Sequence, residues 1–571
     1  MDKESMFTLD ENGTRALPIG VENFEKMITK NYYYVDKTLM IKELLDKLGD
    51  VNLFTRPRRF GKSLNISMLQ YFFDNQLVDK KDIFNGLKIM DAGDEYLIHQ
   101  NAYPLIRMSF KDVMGRSFEK SFNLFKIEIA REYDRHKYLL GSAELADHEK
   151  RLYSQFLTKE GANEEDYQES LKFLSTCLQK HHDRKVIILI DEYDVPLEKA
   201  HFTGYYEEMV ELIRSFFSMA LKTNDSLEFS VITGCLRVSK ESIFTGFNNP
   251  KIISILSDNY GEYFGFLQNE VDKMLAYYDL SHMRDDMRDW YNGYLFGETV
   301  VYNPWSAINH LSDLLYGGTK LASPHWSNTS SNTIVRDLIT HADDESKDEI
   351  EALIRGESIT KPVNEDIVYA DILKNKDNLW NFLFFTGYLK KVSKKQIGVH
   401  NYLELNIPNK EIQYIYERQI REWFDERIQA ADLTKLYRAV LEQDVAIFED
   451  EIIDLLGSSI SYMDSHENFY HGFLTGVLNG IKGYRIVSNR ESGRGRGDLF
   501  ITPRSTRKPA IIIEVKVSSH ARDLEKDTDI ALKQIETKKY ADELEYEGYT
   551  QIIKYGIAFY RKDCRIKLAE S

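Results

Sequence analysis

Thr55-Arg56-Pro57-Arg58-Arg59-Phe60-Gly61-Lys62-Ser63 follows the apolar run Val51-Asn52-Leu53-Phe54 and opens onto a helical stretch, Leu64 to Phe73. A strand that delivers a glycine-lysine-serine turn to the start of a helix is the setting of a phosphate-binding loop. Gly61 lets the backbone approach a β-phosphate, Lys62 neutralises β/γ oxygens, and Ser63 holds Mg²⁺ where the helix begins. Arg59, Phe60 and Leu64 complete the expected nucleotide-contacting segment. One departure is plain: the G-x-x-x-x-G-K-S/T pattern expects glycine where this chain has Arg56.

Further along, Lys185-Val-Ile-Ile-Leu-Ile-Asp191-Glu192-Tyr193-Asp194 is a buried-strand pattern that ends in acids. Such a strand brings Asp191 to Mg²⁺, directly or through water, and lets Glu192 polarise the attacking water. Phe229-Ser-Val-Ile-Thr233-Gly234 is another strand ending in a polar residue, placed where Thr233 would sense a γ-phosphate. Together the three segments point to ATP binding, with hydrolysis as the expected chemistry.

Residues 20 to 260 alternate helical stretches with β-rich runs, which predicts an α/β layer with a mostly parallel sheet. From about 264 to 460 the pattern is helical, including Val335 to Ile339 and Glu411 to Ala430. One β-like interruption, Tyr388 to Val392 and Tyr402 to Leu405, suits a winged-helix hairpin that either grips DNA or serves as a spacer. From about 461 a helix, Phe469 to Leu478, leads into strands and a last helix near Ile530 to Tyr540, a second α/β unit.

The 571 residues imply about three or four domains, and 43% hydrophobic with 29% charged residues excludes a largely disordered chain. The longest apolar runs fall short of the roughly 18 residues needed to cross a bilayer, so no membrane span is expected. The charged start, Met1-Asp2-Lys3-Glu4-Ser5, lacks a secretory h-region, which makes the cytoplasm the expected compartment. Cys177, Cys235 and Cys564 form no disulfide framework or paired metal spacing.

The net charge of −17 is segregated: residues 461 to 571 hold 19 lysines and arginines against 16 acids, +3, leaving −20 for the rest. The basic cluster Arg490, Arg494, Arg496, Arg504, Arg507 and Lys508 either follows a phosphate backbone or is a solvated face.

That basic stretch overlaps a second constellation of acids. Gly493-Arg-Gly-Arg-Gly-Asp498-Leu-Phe-Ile and Ala510-Ile-Ile-Ile-Glu514-Val-Lys516-Val make a candidate hairpin. Strand alternation puts Ile512, Glu514 and Lys516 on one face and Ile511, Ile513 and Val515 on the other. A charged pair at the end of an apolar strand needs a match, and a divalent metal is one. Asp498 and Glu514 offer hard oxygens to Mg²⁺ or Mn²⁺, while Lys516 is placed to orient the attacking water.

Leu17 to Phe24, Tyr33-Tyr-Val-Asp36-Lys37-Thr38 and Arg56 to Ser63 resemble the bacterial AAA-ATPase-like family, in which RPRRFGK-S/T is the usual form of the loop. Thr233 to Arg237, Phe244 to Asn249, Trp290-Tyr-Asn-Gly-Tyr294 and Val301-Tyr-Asn-Pro-Trp-Ser306 extend the resemblance to about residues 15 to 310. It implies a P-loop NTPase core followed by a lid. Arg237 is then either an arginine finger or an ordinary surface arginine.

Asp498, fifteen residues, then Glu514-Val-Lys516 resembles the PD-(D/E)XK nuclease superfamily, with Gly497 in place of the usual proline. The resemblance spans about 465 to 565. It implies that Glu467 completes the metal site and that Gln534, in Gln534 to Tyr540, supports the substrate or the catalytic hydrogen bonds. His471 is either structural or a phosphate contact.

The expected fold is therefore α/β throughout. It comprises an AAA-like P-loop core over 15–262, a helical lid and winged-helix-like region over 263–460, and a restriction-endonuclease-like domain over 461–571. The expected function is an ATP-binding and ATP-hydrolysing protein whose nuclease domain acts on nucleic acid, DNA favoured, with homo-oligomers possible. The alternative is an ATP-driven switch whose nuclease fold only binds partners.

Overall fold

The computed structural model describes residues 13–47, 49–236, 250–317, 321–326, 344–365, 369, 376–398, 400–457, 467–492 and 495–569. It divides into two compact units, residues 1–329 with 358–414 and residues 330–357 with 415–571.

The first unit is built on a five-stranded sheet of β1 (Val51–Thr55), β2 (Leu105–Ser109), β3 (Val186–Asp191), β4 (Leu227–Gly234) and β5 (Pro250–Ile253). Its order is β2-β3-β4-β1-β5 and every pairing is parallel. β1 and β3 are buried at every position, which is why both lack polar alternation. Parallel neighbours need crossovers. The helices Lys62–Phe73, Phe118–Arg135 and Glu164–His182 lie on those paths.

The insertion of β4 between β1 and β3 fixes the site. Phe54 pairs with Thr233 on one side of β4, and Ile190 pairs with Ile232 on the other. The loop after β1, the end of β4 and the acids after β3 therefore share one sheet edge, the carboxyl end where open α/β sheets bind ligands.

After β5 come the helices Gln268–Tyr277 and Arg284–Tyr291, the hairpin β6 (Tyr294–Phe296) and β7 (Thr299–Val301), and the helix Pro304–Ser312. Val271, Met274, Met287, Tyr291 and Leu311 form their shared apolar cluster, which Leu17 joins. In the stretch expected to form a hairpin, β9 (Lys390–Ile397) and β10 (His400–Asn406) pair antiparallel, preceded by the helix Lys376–Phe385. A short strand, β8 (Ile359–Pro362), completes a β8-β10-β9 sheet. Its proline end hid it from sequence reading, since proline fits only strand edges and ends. Val335 to Ile339 lie outside the described residues.

The second unit holds a five-stranded sheet in sequential order: β11 (Tyr484–Ser492), β12 (Gly495–Pro503), β13 (Ala510–Val517), β14 (Ile552–Tyr560) and β15 (Asp563–Leu568). Only β13 and β14 are parallel, and the helices Leu524–Lys538 and Ala541–Tyr546 lie on the crossover between them. The helices Thr434–Glu442 and Val445–Gly457 also belong to this unit. Glu449 ties the latter to β15 through Arg565 at 2.6 Å and the Ile566 N–H at 2.8 Å.

Candidate functional site

The loop after β1 is braced from within. Lys62 Nζ donates to the carbonyls of Arg56 and Pro57, each at 3.2 Å, and the Arg56 N–H donates to Gly234 O at 3.0 Å. Gly61 caps the following helix at φ +81°, and Arg59 is also left-handed at φ +69°. Arg56 is not, so the position where the pattern expects glycine has no left-handed backbone to satisfy here.

Not all expected contact residues point alike. The Phe60 ring is fully buried against Tyr294 and Phe296, with centroids 4.9 and 5.1 Å away, so it anchors the loop to the β6 strand. The Arg59 guanidinium lies 4.2 Å over Trp305 and donates to His325 O at 3.4 Å. Leu64 is half-buried in the first helical turn. The backbone of these residues remains with the loop; their side chains belong to its support.

Asp191, Glu192 and Thr233 converge on Lys62 and Ser63. Thr233 Oγ1 donates to Asp191 Oδ1 at 2.5 Å, and the Ser63 hydroxyl bonds the same carboxylate. Burial and then the neighbouring Glu192 push Asp191 above the usual carboxylate range, with the two hydroxyls opposing. Glu192 takes a left-handed backbone, φ +54°, and reaches Lys62 at 3.5 Å. Its Oε2 is buried with no hydrogen-bond partner among the described residues. Arg237 and Phe244 to Asn249 lie outside them.

Sequence reading missed a clamp in the same edge. Asp194 Oδ2 accepts from the N–H groups of Cys235 at 2.8 Å and Leu236 at 3.0 Å, while Tyr193 donates to Leu236 O at 2.5 Å. A Cβ on Gly234 would stand 2.5 Å from the Tyr193 ring, so glycine alone allows this approach. Burial, then Glu192, raises Asp194 to about 6. The signal available was the third acid of Asp-Glu-Tyr-Asp. Arg58 also pairs with Glu198 at 2.5 Å.

The two aromatic motifs after β5 have structural parts beside this loop. Asn303 caps its helix by accepting from the Ser306 N–H at 3.2 Å, and Ser306 in turn donates to Glu411 Oε1 at 2.9 Å. Glu411 also accepts from the Trp326 N–H at 2.8 Å, and burial raises it to about 7.

In the second unit Asp498, Glu514, Lys516 and Gln534 come together as the strand alternation requires. Ile512 packs with Phe500, Ile535 and Tyr540, and Glu514, two residues on, reaches Gln534 on the helix Leu524–Lys538. Lys516 Nζ donates to Glu514 Oε1 at 3.1 Å, and Asp498 Oδ2 accepts from the Val515 N–H at 2.8 Å. The Asp498 N–H lies 3.4 Å from Glu514 Oε2. Burial and then Asp498 raise Glu514 to about 7, with Lys516 opposing. His471 Nε2 donates to Asp498 O at 2.7 Å, a positioning contact.

Glu467 begins the helix Glu467–Leu478, but its side chain lies outside the described residues, as does that of Arg496 on β12; Arg494 lies wholly outside them. Among the described residues no three His, Cys, Asp or Glu side chains form a metal-holding group. The donors present do suit hard divalent cations: a serine hydroxyl with a buried carboxylate at Ser63 and Asp191, and two crowded carboxylates at Asp498 and Glu514.

Two family models match the chain. A family model described as a predicted AAA-ATPase matches residues 18–244, and a PD-(D/E)XK nuclease superfamily model matches residues 465–568. The two matches lie in that order along the chain. It is also similar to an uncharacterized protein in the vnfD 5' region of Azotobacter chroococcum mcd 1, 27% identical over 407 residues that cover 70% of this chain and 68% of that one. No helix among the described residues is long and apolar enough to cross a membrane.

Proposed function

We propose that the protein binds and hydrolyses ATP in its N-terminal domain and cleaves nucleic acid, DNA in preference to RNA, with a metal-dependent C-terminal domain. The observation that carries the reading is the packing of Asp498, Lys516 and Gln534 around the buried Glu514 carboxylate. A buried carboxylate beside a second acid is costly without a cation, and Lys516 supplies a single positive charge for the two.

In this reading Asp498 and Glu514, with Glu467, hold Mg²⁺ or Mn²⁺, which when bound supplies Lewis-acid activation of water. Lys516 orients that water and stabilises charge on the phosphate, Gln534 fixes Glu514, and Arg494 and Arg496 follow the nucleic-acid backbone. At the other site Lys62 and the loop backbone of Arg59 to Leu64 seat the phosphates, and Ser63 and Asp191 hold Mg²⁺. Glu192 polarises water, Thr233 reads the γ-phosphate and Arg237 offsets its charge. The lid and wing over 263–460 transmit the nucleotide state. A cytoplasmic protein that assembles into homo-oligomers fits these roles.

Two binding measurements on the full chain separate the halves. Loss of labelled ATP binding in Lys62→Ala supports the nucleotide site, and unchanged affinity removes it. Loss of Mn²⁺ binding in Glu514→Ala, measured without nucleotide, supports the nuclease site. Unchanged Mn²⁺ affinity favours the second reading, an ATP-driven switch whose C-terminal domain only binds partners.

A further inference from the structure

Arg56 begins the loop, and its side chain is fully buried. Nη1 donates to Thr55 O at 2.9 Å and Ile253 O at 2.8 Å, the ends of β1 and β5. The guanidinium carbon lies 5.0 Å from the Phe264 ring centroid and 5.1 Å from that of Phe296. Nε and Nη2 have no hydrogen-bond partner, and no carboxylate acts on the group, among the described residues.

Other buried cations of this unit are matched. Lys37 meets Glu270 at 2.6 Å, Lys62 meets Glu192 at 3.5 Å, and Lys361 lies 4.0 Å from Asp377. A buried charge without a counter-charge is expensive, and an apolar side chain of similar size would pack the same space at less cost. Aromatic faces compensate only in part. The charge nevertheless belongs to the residue whose carbonyl Lys62 grips at 3.2 Å, at the foot of the phosphate cradle.

We propose that Arg56 is an electrostatic anchor for polyphosphate: a cation that the fold itself leaves unmatched and that the β- and γ-phosphates of a nucleotide on the loop Arg56–Ser63 neutralise. The inference rests on the reading of that loop as a nucleotide site. In a low-dielectric interior the attraction reaches further than in water, and salt screens it weakly. Its contribution therefore grows with phosphate charge, from AMP to ADP to ATP.

The test titrates the full chain with AMP, ADP and ATP, comparing wild type with Arg56→Gln and Arg56→Lys. Arg56→Gln is expected to weaken ATP about tenfold or more, ADP less and AMP little. Equal losses for all three nucleotides, or ATP affinity within about twofold of wild type, overturn the proposal. Should Arg56→Gln not fold, Arg56→Lys decides. A lysine buried there titrates near neutrality, so its ATP affinity must fall between about pH 6 and 8 while that of the wild type does not. A profile parallel to wild type overturns the anchor. Failure of the wild-type chain to bind any nucleotide overturns instead the reading of the loop.

Discussion

Gly556 lies beside Glu514 in the parallel register of β13 and β14, and its missing side chain is what lets the helix Leu524–Lys538 reach the acid. A Cβ at Gly556 would stand 2.6 Å from Thr528 O and 2.9 Å from the Leu532 side chain. The first of these is backbone and cannot rotate away. Gln534, on the same helix, reaches Glu514 because the helix sits this close.

Gly556→Ala is expected to push that helix outward and to cost about 1–3 kcal/mol of stability in the second unit. Cleavage should fall with it, because Gln534 no longer fixes Glu514. Thermal unfolding and a cleavage assay at permissive temperature check both parts. An unshifted melting temperature would show that the helix has room.

Tyr193→Phe removes the hydroxyl that holds Leu236 O and leaves the ring against Gly234. The lost bond is worth about 1 kcal/mol. Since it fixes the turn that follows Thr233, the expected effect is a lower kcat for ATP with little change in binding. Equal kcat in wild type and variant would separate the clamp from turnover.

Glu411 gives a pH prediction whose sign follows from its raised value. Its folded carboxyl titrates at about 7, against the ordinary 4.5 of an unfolded glutamate. The folded state thus binds the extra proton between these values, so this group lowers stability as pH rises from 4.5 to 7 and adds no further slope above. The full effect is about 3 kcal/mol. Glu411→Gln should lack that slope, so the difference between the wild-type and variant stability profiles, measured by denaturant unfolding at pH 5 and 8, should carry it. Parallel profiles would place the carboxyl at its ordinary value.

Phe60→Ala is expected to cost about 3–5 kcal/mol, because its ring fills a buried space against Tyr294 and Phe296. A mere nucleotide contact would leave the melting temperature of the nucleotide-free chain unchanged.

Local pattern explains what was legible. The loop from Arg56 to Ser63 and the acids after β3 each declare themselves within a strand and its following turn. Asp498, Glu514 and Lys516 follow from period-two alternation in one hairpin. What stayed hidden depends on long-range register. Asp194 clamps Cys235 and Leu236 only because β4 enters between β1 and β3, and Glu411 meets Ser306 and Trp326 from a helix far along the chain. The departure at Arg56 had no local explanation either, since its side chain is accommodated by Phe264 and Phe296. Nor does a lone Gly556 in an apolar strand reveal that a helix crosses over it.

The most direct measurement of the central claim is cleavage of circular and linear DNA by the purified chain with Mg²⁺ or Mn²⁺, with and without ATP. Wild type, Lys516→Ala and Lys62→Ala are compared. The expected result is metal-dependent cleavage that Lys516→Ala abolishes and Lys62→Ala alters only in its response to ATP. Intact ATP turnover with no cleavage of any DNA or RNA form, or cleavage that survives in Lys516→Ala, would contradict it.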